Sequence, residues 1–224
     1  MDGEKPLVSV IVPVYRAEKT LREAVESAEI SAGAGAGEGA CLPVEILLID
    51  DGSDDGSGPL CRKLEKEYDN VRTVRQPNRG PMAARLTGIR EASGEFCMFL
   101  DADDRLLKVT LPRLIEVIKQ YRADVILYNG GIGEGEERRR VWPEFRPEVT
   151  WIGSEPPADG TPFVERKLFL AEVIRSRRFN NLWLKAYRRE ILLDSPVYED
   201  AFFIRTRHGN ASKSPCQCTQ TSFQ

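Results

Sequence analysis

The chain has 224 residues, of which 41% are hydrophobic and 30% charged, and its net charge is −3. Such a chain fits one large globular domain or two small ones, and its weak negative charge argues against a nucleic-acid partner. No segment approaches the roughly 18 apolar residues that a membrane span needs. The five cysteines are odd in number and scattered, which indicates reduced thiols and a cytoplasmic location.

The first 130 residues alternate between strand and helix patterns. Apolar runs predict buried strands at 7–14, 44–50, 71–76, 96–101 and 124–129. Helical patterns predict helices at 17–30, 59–68, from Pro81 onward and at 110–122. Strands separated by helices imply right-handed crossovers, so we expect an α/β fold with a mainly parallel sheet flanked by helices.

Three segments interrupt this alternation. The stretch 31–40 holds four glycines and four alanines, which predicts a flexible surface loop. Residues 131–160 are rich in Gly, Pro and charge and predict loops or a small hairpin. Within them, Arg138–Arg140 is interpreted as a solvated surface, with peripheral contact to anionic lipid headgroups as the alternative. The tail 205–224 lacks acidic residues and is expected to be disordered.

Helical signals return after this middle stretch. Thr161 and Pro162 suit the N-cap and first position of a helix, which we expect to run to about Ser176. Residues 180–193 mix aromatic and basic side chains and are expected to end in a short helix.

Polar clusters follow three of the predicted strands, at Pro13–Tyr15, Asp50–Ser57 and Asp101–Asp104. Ligands of open parallel sheets bind beyond the carboxyl ends of the strands, so we expect these clusters to converge on one edge. Carboxylates gathered there repel one another, and a divalent cation such as Mg²⁺ or Mn²⁺ suits oxygen ligands of this kind. Each acidic cluster taken alone also fits a structural role, as a turn or as a helix N-cap.

Histidine is scarce, because His208 in the polar tail is the single one. A histidine-based catalytic triad or a histidine-rich zinc site is therefore not expected. Any chemistry is expected to depend on carboxylates, on hydroxyls or on a metal held by oxygen.

Four motifs together carry a resemblance. The segments "VSVIVPVYRAEKTL", "ILLIDDGSDDGS", "NRGPMAARLTGIREASGEFCMFLDADD" and "YEDAFF" resemble the family 2 glycosyltransferases, which have the Rossmann-like GT-A fold. The resemblance implies one glycosyltransferase domain over 6–204, with a nucleotide-sugar-binding half at 6–105 and an acceptor-side half at 106–204. The family uses nucleotide-sugar donors, commonly UDP-sugars, with Mn²⁺ or Mg²⁺, and inverts the anomeric configuration at the cytoplasmic side.

The resemblance also implies roles for individual residues around the nucleotide. Pro13 and Tyr15 resemble the wall of the base pocket. Asp51, or its neighbour Asp50, is similar to the carboxylate that accepts a hydrogen bond from the base. The remaining nucleotide contacts that the resemblance implies are Ser53, Arg79 and Asp101.

Metal and catalytic roles follow from the other motifs. Asp101 and Asp103 resemble the Asp-x-Asp pair that lies at the ribose and at the metal and diphosphate. Asp200 resembles the catalytic base, with Glu199 beside it, and Lys185 resembles a basic residue that often precedes this acidic pair. The implied acceptor is a saccharide or a lipid-linked sugar in surface polysaccharide or glycolipid synthesis, with peripheral membrane contact as a further expectation. The oligomeric state stays open.

The sequence departs from the family pattern in places that leave alternatives open. Leu86 stands where relatives usually have Asn, and the chain ends 24 residues after Asp200, in a tail unlike the family. One alternative is therefore a truncated, inactive fragment that binds nucleotide-sugar. A second is a haloacid-dehalogenase-like phosphatase with Asp101 and Asp103 in its Asp-x-Asp motif. A third is a phospho-acceptor receiver domain.

Overall fold

The fold centres on a six-stranded sheet with helices on both faces. The computed structural model describes residues 5–33, 42–120, 124–127, 131–132, 139–140, 151–153, 163–165 and 185–193. The strands are β1 (Val8–Val14), β2 (Val44–Asp50), β3 (Val71–Arg75), β4 (Phe96–Phe99), β5 (Val125–Leu127), β6 (Gly131–Ile132), β7 (Arg139–Arg140), β8 (Trp151–Gly153), β9 (Phe163–Glu165) and β10 (Lys185–Arg188). The helices are α1 (Leu21–Ala32), α2 (Ser57–Glu67), α3 (Pro81–Glu91), α4 (Thr110–Gln120) and α5 (Arg189–Leu193).

The main sheet has the strand order β3-β2-β1-β4-β10-β5. β1 pairs in parallel with β2 and β4, and β2 pairs in parallel with β3. β10 is antiparallel to both β4 and β5. The predicted α/β fold with a mainly parallel sheet is therefore confirmed, and β10 is the antiparallel strand of the mixed sheet.

Alternation along the strands divides the core between the two faces of the sheet. Even-numbered residues of β1, such as Val10 and Val12, pack with α1, α2 and α4. Ile11 packs on the other face with α3 and α5. Side chains of successive strand residues point to opposite faces, and both faces here are covered by helices. That burial explains why β1 and β2 are continuous apolar runs in the sequence.

Helix α3 lies unusually close to β1. A Cβ atom added to Gly88 would fall 2.3 Å from Cγ2 of Ile11, so only glycine permits this approach. Gly80, with φ of 87°, precedes the helix, and Pro81 occupies its first position. This close packing sets the position of α3 relative to β1, and with it the position of the side chains that α3 carries.

Several predicted bounds differ from the structure. Helix α1 continues into the predicted alanine–glycine loop and ends at Ala32, because Gly33 adopts the left-handed conformation with φ of 101°. The expected helix from Thr161 is wrong at its start, since Phe163–Glu165 is a strand paired with Trp151–Gly153. An aromatic and a β-branched residue there favour strand pairing over the Thr-Pro capping signal.

The late segment also contains a strand that the sequence did not predict. Lys185–Arg188 forms β10, and the expected short helix follows as α5. The pairing of β6 with β7 is a small antiparallel hairpin, as expected for the middle stretch. The rest of the predicted alanine–glycine loop, 34–40, and the predicted disordered tail, 205–224, lie outside the described residues.

Candidate active site

The two acidic clusters lie at the same edge of the sheet. In the register of β1 and β2, Val14 is opposite Asp50. In the register of β1 and β4, Ile11 is opposite Phe99, so Asp101 lies level with Pro13 two residues further on. Because β1 separates β2 from β4, the clusters are two strand spacings apart, about 10 Å. The expected convergence at the carboxyl end of the sheet is therefore present.

The carboxylate of Asp51 is enclosed by the loop that leads into α3. Its Oδ1 accepts hydrogen bonds from Gln76 Nε2 at 2.7 Å and from the Arg79 amide at 2.9 Å. Its Oδ2 accepts one from the Gly80 amide at 2.7 Å. The residue is 2% exposed. An ionised carboxylate offers about four acceptor positions, so one position on Oδ2 is left after these three bonds.

Gly52 is needed for this enclosure. Its φ is +70°, and an added Cβ would lie 2.7 Å from the amide nitrogen of Asn78. A side chain at this position would therefore push the loop at 76–80 away from Asp51. The motif "DDGS" therefore needs glycine at this position, because both the backbone conformation and the close approach of the loop exclude a side chain.

Asp50 points to the opposite face of the sheet from Asp51. Its Oδ1 accepts a hydrogen bond from the Ser53 amide at 2.9 Å, and its Oδ2 lies 3.5 Å from Arg75 Nε. Oδ2 has no hydrogen-bond partner in the described part of the chain, and the residue is 1% exposed beneath the first turn of α2 at Gly58. This environment favours Asp51 over Asp50 as the carboxylate beside the loop at 76–80.

Ser53 joins the loops that follow β1 and β2. Its hydroxyl oxygen accepts a hydrogen bond from the Arg16 amide at 3.3 Å, and its carbonyl accepts one from Arg75 Nη2 at 3.2 Å. The residue is 4% exposed. The predicted nucleotide contact at Ser53 is therefore surrounded by protein partners that hold the two loops together.

An aromatic ring stands at the end of β1. Tyr15 is 46% exposed, and the Arg16 guanidinium lies 5.3 Å from its ring centre. Arg16 also forms two hydrogen bonds of 2.7 Å with Asp54. Pro13 is half-buried and Arg79 is exposed. Tyr15 follows Val14, whose carbonyl accepts a hydrogen bond from the Asp51 amide at 2.9 Å, and an exposed ring in this position can accept a planar base.

Arg85 contributes a cation that the sequence analysis did not single out. Its Nη2 lies 2.5 Å from Oδ1 of Asp101, and the two side chains are 15% and 31% exposed. Its Nε is buried and has no hydrogen-bond partner among the described residues. Arg85 lies in the sequence motif that precedes β4, so the motif could have indicated a functional cation. Its partner could not be predicted, because that partner depends on how α3 packs across β1.

Asp101, Asp103 and Asp104 crowd one turn. The Asp104 amide donates a hydrogen bond to the Asp101 carbonyl at 2.9 Å. Partial loss of solvent raises the pKa of Asp104, and the negative charges of Asp101 and Asp103 raise it further. Asp103 is exposed. Like charges held this closely favour the binding of a cation.

The acidic turn suits a divalent metal whose coordination shell is completed by the phosphate oxygens of a substrate. Among the described residues, no group of three or more His, Cys, Asp or Glu side chains could hold a metal alone. Mg²⁺ commonly binds one or two carboxylates together with substrate phosphate oxygens and water. The exposed carboxylate of Asp103, with Asp101 nearby, meets that lesser requirement.

Lys185 lies at the same edge as the acidic turn. Ala186 is opposite Met98 in the antiparallel register, so Lys185 falls beside Phe99 at the end of β4. Its side chain is fully buried, and this burial lowers the pKa of the ammonium to about 8. Tyr187 lies two residues after Lys185 in β10, so both side chains point to the same face of the sheet. The Tyr187 ring packs edge-on against Phe99, with 6.4 Å between the ring centres. Lys185 therefore shares the α3 face of the sheet.

Several predicted site residues lie outside the described part of the chain. They are the candidate catalytic residues Asp200 and Glu199. The tail residue His208 and the side chains of Arg138–Arg140 also lie outside the described residues. No helix in the described residues is long and apolar enough to cross a membrane.

The acidic turns line the carboxyl end of a parallel sheet, which is where open α/β folds bind their ligands. The chain belongs to the glycosyl transferase family 2, whose family model matches residues 9–202. The fold is GT-A, as the solved structures of this class have it. This family membership leaves the phosphatase and receiver-domain alternatives without support.

Individual relatives resemble this chain at moderate sequence identity. The uncharacterized glycosyltransferase EpsJ of Bacillus subtilis is 28% identical over 186 residues, covering 83% of this chain and 49% of its own length. The poly(ribitol-phosphate) beta-glucosyltransferase of Bacillus spizizenii is 27% identical over 212 residues, covering 85% and 32% respectively. The chain thus spans about half the length, or less, of the curated relatives that it matches.

Solved structures of TarS from S. aureus share the fold. The 1–349 fragment superposes with a TM-score of 0.59 at 26% sequence identity, and the match covers 84% of this chain and 48% of that fragment. The same fragment in complex with UDP-GlcNAc also gives a TM-score of 0.59.

Proposed function

We propose that this domain transfers a sugar from a UDP-sugar to an acceptor hydroxyl, with inversion at the anomeric carbon and with a divalent metal. The observation that carries the proposal is the shared edge, where Asp51 and Asp101 lie on opposite sides of the end of β1. The Asp51 side suits the base of a nucleotide, and the Asp101 side suits its diphosphate. Family membership and the TarS complex with UDP-GlcNAc support the choice of donor.

The base of the nucleotide belongs at the Asp51 side of the edge. Tyr15 and Pro13 provide a planar and a half-buried surface, and the remaining acceptor position of Asp51 can take one N–H donor. The exposed side chain of Arg79 follows directly from the enclosing loop and is available to an anionic group. Asp50 and Ser53 support these residues by holding the loops after β1 and β2.

The diphosphate belongs at the acidic turn. Asp103 and Asp101 would hold the metal, which supplies positive charge to the departing diphosphate. Arg85 already neutralises part of the charge of Asp101 across 2.5 Å. Lys185 adds a second basic side chain at the end of β4, on the face where α3 lies.

Inversion follows from a single displacement. The acceptor oxygen forms a bond to the anomeric carbon, the bond from that carbon to the nucleoside diphosphate breaks, and a carboxylate takes the proton of the acceptor hydroxyl. One carboxylate is sufficient, whereas retention through a covalent intermediate needs a nucleophile as well. Asp200 is our candidate for this base, with Glu199 as its neighbour, and both belong to the acceptor-side half at 106–204.

The acceptor is a saccharide or a lipid-linked sugar of a surface polymer. The names of relatives support this class, since one is a poly(ribitol-phosphate) beta-glucosyltransferase and another a minor teichoic acid biosynthesis protein. Nucleotide-sugar donors and the unpaired, buried thiols of Cys61 and Cys97 fit a cytoplasmic location at the inner face of the membrane.

A thermal-shift panel tests the proposal on the intact chain. UDP, GDP and dTDP are compared with and without Mn²⁺, and we expect UDP with Mn²⁺ to stabilise the protein most. Asp103→Ala should abolish the contribution of the metal, whereas Asp69→Ala, an exposed carboxylate outside the acidic turn, should leave it intact. A protein indifferent to all three nucleotides would contradict the proposal.

Hydrolysis or transfer of the donor then tests turnover. We expect wild type to release UDP from a UDP-sugar and Asp200→Asn to bind the donor without releasing it. A wild-type protein that binds UDP in the metal-dependent way but never releases product would instead be a nucleotide-sugar-binding fragment.

A further inference from the structure

A chain of side-chain hydrogen bonds runs from α3 to the end of β2. Thr87 Oγ1 lies 2.5 Å from Gln76 Oε1, and Gln76 Nε2 lies 2.7 Å from Asp51 Oδ1. We propose that Gln76 and Thr87 are positioning residues that orient the Asp51 carboxylate and so set a preference for uridine over cytidine nucleotides. This inference rests on the proposed function, in which Asp51 faces the base.

Only one direction of hydrogen bonding is possible along this chain. An ionised carboxylate accepts and cannot donate, so the amide nitrogen of Gln76 must face Asp51. The amide oxygen then faces Thr87, whose hydroxyl must donate to it. Reversing the amide would place its oxygen against the carboxylate, which is repulsive. The carboxylate therefore sets which end of the Gln76 amide it meets, and the Thr87 hydroxyl holds the amide in that orientation by bonding to its oxygen.

This series of hydrogen bonds is held in place at both ends. Thr87 lies beside Gly88, the residue at which α3 packs directly on Ile11 of β1. A threonine within a helix commonly returns its hydroxyl to the carbonyl four residues earlier. Here the hydroxyl crosses to a residue of another segment instead. The Asp51 carboxylate is thereby fixed from the side chain of Gln76 as well as from the loop amides.

The fixed carboxylate discriminates between pyrimidine bases by donor and acceptor pattern. With three of its four acceptor positions filled by protein, Asp51 can receive one further N–H. Uracil carries an N–H between its two carbonyl groups, whereas the corresponding cytosine nitrogen carries a lone pair. A lone pair facing the carboxylate is repelled, so cytidine nucleotides should bind more weakly.

The readout is the ratio of dissociation constants for CDP and UDP, measured by calorimetry with Mn²⁺. For Thr87→Val we expect this ratio to fall roughly threefold to tenfold, as for the loss of one hydrogen bond. Thr87→Ser keeps the hydroxyl and should restore the ratio. Thr73→Val is the matched control, because it removes a hydroxyl that bonds to the Cys61 carbonyl of α2, on the face of the sheet opposite α3.

The outcomes separate this inference from the proposed function. If Thr87→Val fails to fold, Gln76→Leu removes the hydrogen bond from Gln76 to Asp51 directly and should lower the ratio at least as much. An unchanged ratio in the folded variant, or a Thr87→Ser variant that behaves like Thr87→Val, would overturn the inference alone. Wild type that binds UDP and CDP equally would do the same. Wild type that binds neither nucleotide would overturn both.

Discussion

The guanidinium of Arg85 lies 2.5 Å from the carboxylate of Asp101, although the two residues come from different elements, α3 and the turn after β4. The pair is only partly exposed, so solvent screens it less than it screens a surface pair. It places a fixed positive charge inside the acidic turn. Arg85 thereby offsets part of the negative charge that Asp101, Asp103 and Asp104 concentrate in this turn.

A double-mutant cycle measures this pair. Arg85→Met and Asp101→Asn should each destabilise the fold, and the double variant should lose less than the sum of the two. We expect a coupling free energy of about 1–2 kcal/mol for a charged hydrogen bond of this burial, from urea unfolding. The exposed pair of Arg16 and Asp54 is the control and should give a smaller coupling. Equal coupling in both pairs would contradict this assignment.

Glu29 should make the stability of the fold depend on pH. The carboxyl is buried, its Oε1 has no hydrogen-bond partner within the residues that the structure describes, and this burial raises its pKa above the ordinary value of 4.5. The folded state therefore favours the protonated form, and the free energy of unfolding falls as pH rises from about 4.5 through the raised pKa.

Substitution of Glu29 tests this dependence. Glu29→Gln mimics the neutral form, so it should flatten that part of the pH profile and raise the free energy of unfolding at neutral pH by about 1 kcal/mol. Glu116→Gln, at an exposed position on α4, should keep the wild-type slope. The prediction is wrong if Glu29→Gln is less stable than wild type at pH 7 and keeps the slope.

Lys185 should act in the opposite direction at alkaline pH. Its folded pKa of about 8 lies below the ordinary value of 10.5, so the unfolded chain holds the proton more tightly. The contribution of Lys185 to stability therefore rises between about pH 8 and 10.5. Lys185→Met should remove that rise from the unfolding profile, whereas Lys66→Met, at an exposed position, should not. Identical profiles for both variants would argue against a buried ammonium.

The contact between α3 and β1 should tolerate no side chain at Gly88. Gly88→Ala places a methyl group 2.3 Å from Ile11 Cγ2, and overpacking of this kind costs about 1–3 kcal/mol. The gain in helix propensity from alanine, about 1 kcal/mol, offsets only part of that cost. Adding Ile11→Ala should relieve the overlap, so the two changes together should cost less than their sum. Additive losses in thermal unfolding would show that the helix moves away instead.

Sequence patterns predicted the parts of the fold that depend on local chemistry. Continuous apolar runs located β1 and β2, and the acidic turns after β2 and β4 could be assigned to one edge because parallel strands end together. They did not predict β10, because "KAYR" has no clear alternation and becomes a strand only through pairing with β4 and β5. Tertiary pairing decides such short segments.

The partners of the site residues could not be predicted in the same way. Arg85 and Thr87 lie two positions apart on one helix, yet one meets Asp101 and the other meets Gln76. These contacts depend on the rotation of α3 and its closeness to β1, which Gly88 sets in three dimensions. Likewise, Asp50 and Asp51 are neighbours in sequence but serve opposite faces of the sheet.

The place of β10 in the sheet has a consequence for how the protein forms during synthesis. Strands β1 to β4 arise from the first hundred residues and can pair with one another early. In the described residues, β5 pairs only with β10, so it has no partner until residue 185 has been made. Until then the outer edge of β4 is an unpaired template for other chains, and ribosome-bound or prematurely terminated products should be prone to aggregate.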